Sequence, residues 1–308
     1  MLVSILVNNF NYARFLGGAI DSALQQDYSN LEVIVVDDGS TDESRDIIAS
    51  YGSRILPVLK DNGGQGSAFN AGFALAKGEL ICFLDADDLF LPNKVSSVVQ
   101  AFKRIPNTSL IYHRLQQVDV HLKKIGGPSP RSVLIGDIRS KVERAGTWWP
   151  HPTTTGLCPS RWFLEKVLPL PAQKCRLCAD GYIAGLAPFF GVVVGLEQPL
   201  GVYRMHDGNY WNFRGLTQRE ESQRRLERLK EEFDLVTTEL MRHSSCDLSF
   251  SLEDNFRYQF HRFVAGLANS RLKVLSTVLT TQTLPFPMKW RELARIAMRY
   301  AKNAWRVT

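Results

Sequence analysis

Four short apolar runs, Val3–Val7, Glu32–Val36, Ile55–Leu59 and Leu80–Leu84, each give way abruptly to carboxamides or carboxylates, and this repeat constrains the fold more than any other feature. A fifth run, Ser109–Tyr112, follows, and helical stretches separate the runs. Such alternation predicts an α/β domain built on a largely parallel sheet. Runs that are apolar at nearly every position suit strands covered on both faces by helices. The residues that end the runs are Asn8-Asn9, Asp37-Asp38, Asp61-Asn62 and Asp85-Ala86-Asp87-Asp88. In open α/β sheets ligands bind beyond the carboxyl ends of the strands, so these four polar groups are expected along one edge. Carboxylates gathered there repel one another unless a cation sits among them, and hard oxygen donors favour Mg²⁺ or Mn²⁺ bridging a diphosphate.

Local signals refine this frame. Ser40-Thr41-Asp42-Glu43 has the form of a capping box and predicts a helix directly after Asp37-Asp38-Gly39. Pro92 suits the first turn of a helix after Asp85–Asp88. An Asp-x-Asp serves equally well as a helix cap, and Asp88 could do only that. Its place directly after the apolar strand Leu80–Leu84 is what points to metal chemistry. Gly63-Gly64-Gln65-Gly66 can cradle phosphate or simply form a turn, and matches neither the Walker A nor the dinucleotide pattern. Trp148-Trp149 could offer a stacking platform to a sugar or pack in a core.

Length and charge bound the partners. With 308 residues there is room for one large domain with an appendage. Met1–Val7 ends at Asn8 with no charged leader before it and no cleavage site after it, so it reads as a strand rather than a signal peptide. No apolar stretch approaches the ~18 residues of a membrane span, so a cytoplasmic chain is expected. Five cysteines, an odd number, argue for reduced thiols, and the single pair Cys175 and Cys178 lacks the further ligands a structural zinc needs. A net charge of +6 suits anionic partners. From about Gly215 the pattern turns helical and basic. Between Met288 and Trp305 basic residues recur at helical spacing opposite Trp290, Leu293 and Ile296. Such a helix could lie on an anionic membrane or pack on the catalytic domain.

The succession Val3-Ser4-Ile5-Leu6-Val7, Asn9-Phe10-Asn11, Val35-Val36-Asp37-Asp38-Gly39-Ser40, Asn62-Gly63-Gly64-Gln65, Asn70-Ala71-Gly72 and Phe83-Leu84-Asp85-Ala86-Asp87-Asp88 resembles the family 2 glycosyltransferases of GT-A fold. A looser likeness runs through Thr154-Thr155-Gly156, Ala179-Asp180 and Tyr203-Arg204-Met205-His206. The resemblance implies a GT-A, Rossmann-like catalytic domain over residues 1–214, with a nucleotide-binding half (1–112) and an acceptor half (113–214), followed by a helical region (215–308). It implies nucleotide contacts from Val7, Asn8, Asn9, Phe10, Asp38, Asn62, Gln65, Asp85 and Ala86, and metal contacts from Asp87 and His206. Asp180 stands at the catalytic base, and Trp149, Thr155 and Gly156 stand where donor sugar or acceptor is met. Two positions depart from the family: Phe69 replaces a common arginine, and Ala179 an acidic residue.

The implied activity is inverting transfer of a sugar from a nucleotide-diphosphate donor, a UDP-sugar first of all, to an acceptor hydroxyl, with Mn²⁺ or Mg²⁺ as cofactor. Synthesis of polysaccharide or of a lipid-linked glycan is the expected setting, with peripheral contact at the inner face of a membrane and no nucleic-acid partner. Two alternatives stand beside it. A nucleotidyltransferase would carry a glycine-rich loop with a basic residue after the first strand, where this chain has Asn8-Asn9-Phe10-Asn11. An inactive sugar-nucleotide-binding protein would not need Asp85, Asp87 and Asp180 together.

Overall fold

In the computed structural model the described residues are 1–209, 216–243, 250–265, 267, 271–284, 288–290 and 292–294. They divide into two compact units, one comprising Met1–Ile138 with His151–Asn209, the other Arg139–Pro150 with the chain from Tyr210.

The first unit opens with β1 (Val3–Asn9), α1 (Ala13–Leu24), β2 (Leu31–Asp38), α2 (Ser44–Ser50), β3 (Leu56–Lys60), α3 (Gln65–Leu75) and β4 (Leu80–Asp85). The four strands form a fully parallel sheet in the order β3-β2-β1-β4. Val3, Ile5, Val7, Val33, Val35, Leu80, Cys82 and Leu84 face one buried cluster with Leu16, Ala19 and Ile20 of α1. The other face is closed by α3, whose Phe69 stacks on Phe83 of β4 with ring centroids 4.2 Å apart. Gly72 makes that approach possible: a Cβ there would stand 2.4 Å from Leu6 Cδ1. The predicted burial on both faces holds for β1, β2 and β4, whereas β3 is the sheet's edge, with Leu56 42% and Leu59 52% exposed.

Beyond β4 come β5 (Leu89–Phe90), α4 (Lys94–Arg104), β6 (Thr108–Val118), β7 (Ile135–Gly136), α5 (Arg139–Glu143, in the second unit), β8 (Leu157–Pro159), α6 (Arg161–Val167), α7 (Ala179–Phe190) and β9 (Val192–Arg204). Here the expectation of one sheet needs correction. The run Ser109–Tyr112 lies in β6, which belongs to a second, mixed sheet ordered β5-β9-β6-β8, with β7 on β9. β6 pairs in parallel with β9 and antiparallel with β8. Its partner β9 is some eighty residues away, a pairing that local apolar periodicity does not encode.

Two capping expectations also change. Ser40 Oγ accepts from Asn9 Nδ2 at 3.1 Å and from the Asn11 amide at 2.9 Å, so it ties loops together instead of capping. Asp42 does the nearer work, accepting from the Ser44 amide at 3.1 Å. After Asp85–Asp88 the chain first forms β5, and α4 begins at Lys94, two residues past Pro92.

The second unit is helical, with α5, α8 (Gln218–His243), α9 (Phe256–Val264) and α10 (Arg271–Thr280). Trp148 packs edge-on against Phe256 at 4.7 Å in a cluster with Phe260, Val274, Val278 and Leu284. Of the basic stretch from Met288 to Trp305, residues 288–290 and 292–294 are helical, and Met288 and Leu293 rest on that same cluster. Arg291, Arg295, Ile296, Arg299, Lys302, Trp305 and Arg306 lie outside the described residues. No helix among the described residues is long and apolar enough to cross a membrane. Cys82, Cys158, Cys175 and Cys178 are free and buried.

Candidate active site

The chain leaves β1 for β2 on one side and reaches β4 on the other, so the crevice between the ends of β1 and β4 is the sheet's switch point, where open α/β folds bind ligands. Asn8 and Asp85 are register partners across that crevice. Asn8 Nδ2 donates to Asp85 Oδ1 at 2.6 Å, and the Asn8 side-chain oxygen is buried without a partner. Behind them, Asn9 Nδ2 donates to Asp37 Oδ2 at 3.0 Å, locking the ends of β1 and β2 together.

Asp85, Asp87 and Asp88 form a cluster in which one ligand oxygen from each lies within 4.8 Å of the others. Each carboxylate is held differently. Thr155 Oγ1 donates to Asp88 Oδ2 at 2.6 Å, and the Arg204 amide donates to Asp88 Oδ1 at 2.9 Å. His206 Nε2 donates to Asp87 Oδ2 at 2.9 Å, joined by Asn209 Nδ2 at 3.3 Å. The tautomer follows from the other ring nitrogen, since His206 Nδ1 accepts from the Gly208 amide at 3.1 Å. Tyr12 and Phe15 flank the imidazole at 5.6 and 5.0 Å between centroids. Arg204 lies over the Phe15 ring at 4.7 Å and donates from Nε to the Asp87 carbonyl at 2.7 Å.

Electrostatically the cluster is frustrated. Burial first, and then the charges of Asp87 and Asp180, push the Asp85 carboxyl up to about 8. Burial, with Asp87 and Asp85, raises Asp88 well above the carboxylate range. The same charges help burial lift the Tyr12 and Tyr203 hydroxyls. Three close acids, two of which, Asp85 and Asp88, have their ionisation suppressed, beside an unpartnered amide oxygen, fit a hard divalent cation. A pH dependence follows. In the metal-free protein the raised Asp85 makes stability fall as pH climbs from the ordinary carboxyl range toward about 8, because the unfolded chain releases that proton earlier. A cation must displace the proton, so Mn²⁺ affinity should rise by about tenfold per pH unit for each proton released, up to that pH. Calorimetric titration at two pH values a unit apart below 8 checks it, and equal affinities would contradict the frustrated cluster.

Asp180 sits in the first turn of α7, half-buried, accepting from the Gly181 amide at 2.9 Å. Burial raises its carboxyl, while His151 and the Thr154 and Gly181 backbones oppose the rise. Its charge acts on Asp85, so the two share one field. Gln65, at the start of α3, links the halves of the site by donating to Thr154 Oγ1 at 3.0 Å and accepting from the Ala179 amide at 3.1 Å. Asp38 receives Lys60 Nζ at 2.6 Å and the Gly63 and Gly64 amides at 2.9 and 2.7 Å, clamping the loop that carries Asn62. Arg176 Nη2 donates to Asn62 Oδ1 at 2.7 Å. Gly39, at φ +83°, lets that loop close, since a Cβ would meet the Asn62 amide at 2.6 Å.

The other expected residues fall in three places. Val7 and Ala86 are buried in the sheet and the turn after it, and Phe10 is 44% exposed beyond β1. Thr155 and Gly156 form a buried turn directly beneath the acidic cluster. Trp149 belongs to the second unit and is 1% exposed, which leaves it no open ring face. Phe69, the departure from the family, is a core side chain. Sequence reasoning assigned no role to Arg204, Asn209 and Lys60, and the His206-Asp207-Gly208-Asn209 turn was the available signal for Asn209.

Comparison with known proteins agrees with this geometry. The sequence profile described as glycosyl transferase family 2 matches residues 4–153. An uncharacterized glycosyltransferase of Nostoc sp. is 40% identical over 214 residues, covering 68% of this chain and 66% of that protein. A Rickettsia prowazekii protein of the same description is 43% identical over 112 residues, 36% of this chain and 35% of its own length. Both curated relatives thus extend well beyond the part matched. Among solved structures, Staphylococcus aureus TarS 1–349 in complex with UDP-GlcNAc superposes with a TM-score of 0.55 at 17% identity, covering 89% of this chain and 86% of that one. Mannosyltransferase PcManGT of Pyrobaculum calidifontis, in complex with GDP-Man and Mn²⁺, gives 0.57 at 16% identity, covering 98% and 82%. The fold is accordingly GT-A, and the profile over the sheet that bears the acidic cluster, together with the Nostoc relative, places this chain in the family 2 glycosyltransferases.

Proposed function

We propose that the chain transfers a sugar from a nucleotide-diphosphate donor, in the first instance a UDP-sugar, to an acceptor hydroxyl with inversion at the anomeric carbon, in the assembly of a polysaccharide or lipid-linked glycan. The observation that carries this reading is the shared field of Asp85, Asp87 and Asp88 with Asp180 at the switch point of the sheet. The UDP-GlcNAc and GDP-Man complexes of structures with the same fold support a nucleotide-sugar donor.

In this reading Asn8, Phe10, Asp38 and Asn62 border the nucleotide, and Asp87 with Asp85 and Asp88 would hold Mn²⁺ or Mg²⁺. Such an ion takes up the charge that develops on the departing diphosphate. His206 and Asn209 orient Asp87, and Arg204 fixes Asp88 through its amide. Asp180 accepts the proton of the acceptor hydroxyl on a carboxylate oxygen as that hydroxyl attacks, and a single displacement from the face opposite the diphosphate inverts the centre. A carboxyl raised by burial is the better base for this step.

A screen of UDP- and GDP-sugars by thermal shift with Mn²⁺ present, followed by a nucleotide-release assay with candidate acceptors, tests the proposal. A donor that binds the folded state should raise the melting temperature. No stabilisation by any nucleotide sugar would overturn it, and binding without release under every acceptor would reduce the chain to a binding protein.

A further inference from the structure

Directly under the acidic cluster lies a column of buried polar side chains that the proposed chemistry does not touch. Its foot is Lys94, the first residue of α4, 0% exposed. The ammonium stands 3.1 Å from the centroid of the Phe90 ring and donates to the Thr155 carbonyl at 3.3 Å. The buried Cys82 and Cys158 thiols stand close enough to act on its charge. His113, also buried, is kept neutral by desolvation, with the Lys94 charge opposing protonation as well. Burying an ammonium is strongly unfavourable, and an aliphatic residue of the same length would fill this space without that penalty. Burial draws the Lys94 ammonium below its usual range, and what an aliphatic residue could not supply at this place is the bond that the Lys94 nitrogen donates.

What it reaches is Thr155, itself 0% exposed. The Thr155 hydroxyl donates to Asp88 Oδ2 at 2.6 Å and accepts from the Asp85 amide at 3.2 Å, so a single oxygen touches two of the three clustered acids. We propose that Lys94 and Thr155 are positioning residues for the acidic cluster: the Lys94 ammonium anchors the Thr155 carbonyl, and the Thr155 hydroxyl sets the places of Asp85 and Asp88. The proposal rests on the reading that this cluster binds a divalent cation. It also recasts Thr155, which the family resemblance placed against sugar or acceptor, as a strut beneath the metal site.

A merely structural role and a positioning role predict different pairs of results. Mn²⁺ titration calorimetry and thermal unfolding on the full chain, with Lys94→Met, Thr155→Val, Thr155→Ser and Asp87→Asn, separate them. Positioning predicts that Lys94→Met and Thr155→Val lose about 10- to 100-fold in Mn²⁺ affinity while folding, the scale at which residues supporting metal ligands act. Thr155→Ser, which keeps the hydroxyl, should bind near the parental level. Lys94→Met and Thr155→Val that bind Mn²⁺ as the parent does, while Asp87→Asn does not, would overturn the strut and leave the metal reading standing. If Asp87→Asn also binds as the parent does, the metal reading fails, and a crystal structure decides the strut on its own: unmoved Asp85 and Asp88 in Thr155→Val refute it, displaced carboxylates support it. Should Thr155→Val not fold, Lys94→Met and Thr155→Ser carry the same comparison.

Discussion

Asp87→Asn is expected to fold and to lose at least about tenfold to a hundredfold in Mn²⁺ affinity, the range seen for supports of metal ligands and hence a floor for a ligand itself. Of the three acids, Asp87 is the one whose carboxylate is oriented by two side chains from the turn after β9, His206 and Asn209. An asparagine there retains an oxygen that can accept from the His206 Nε2–H, so the turn keeps its anchor. The variant loses the charge and one of two ligand oxygens. With one of the three ligand charges gone, the diphosphate loses much of the ion that would hold it, so nucleotide affinity measured with Mn²⁺ should drop in parallel. Nucleotide affinity measured in chelator should hardly change, which separates loss of the ion from damage to the nucleotide pocket. A folded Asp87→Asn protein with parental Mn²⁺-dependent UDP affinity would remove Asp87 from the metal site.

The parallel sheet was legible because burial on both faces leaves β1, β2 and β4 almost no polar positions, and because the switch to Asn8, Asp38 and Asp85 marks where each strand leaves the core. Signals that depend on distant partners were not legible. Ser40 has the local sequence of a cap, yet Asn9 and Asn11 offer its hydroxyl a competing set of bonds, and tertiary geometry decides. β9 carries Gly195, Pro199 and Gly201 and pairs with β6 through several register shifts, a strand without a clean alternation to announce it. Thr155 shows the same limit within the site. Its motif placed it near the substrate, but only the fold shows that its hydroxyl faces downward-held Asp88 rather than an open cleft. His206 likewise has the residue type of a ligand, and the fold engages both its nitrogens in holding Asp87 and the Gly208 turn.

Asp180→Asn should give the opposite signature to Asp87→Asn, with turnover falling by about 10²- to 10⁴-fold, the usual worth of a positioned general base, and donor affinity nearly preserved. The reason is where the carboxylate stands. Asp180 is on α7, outside the cluster of Asp85, Asp87 and Asp88, and its influence on that cluster runs through space, as a charge felt by Asp85. Its own bond to the Gly181 amide is to Oδ1, which an asparagine oxygen can replace, so the helix start survives the change. What an amide cannot do is take the acceptor proton. Removing the negative charge alters only a through-space influence on the cluster, so Mn²⁺ affinity should weaken at most a few-fold (~1 kcal/mol or less), far less than the loss of a metal ligand would cost. Calorimetry with nucleotide and Mn²⁺, beside turnover with a competent acceptor, reads both quantities on one preparation. Parental turnover in folded Asp180→Asn would end its candidacy as the base, and a larger loss of Mn²⁺ or nucleotide affinity with it would instead move Asp180 into the donor site.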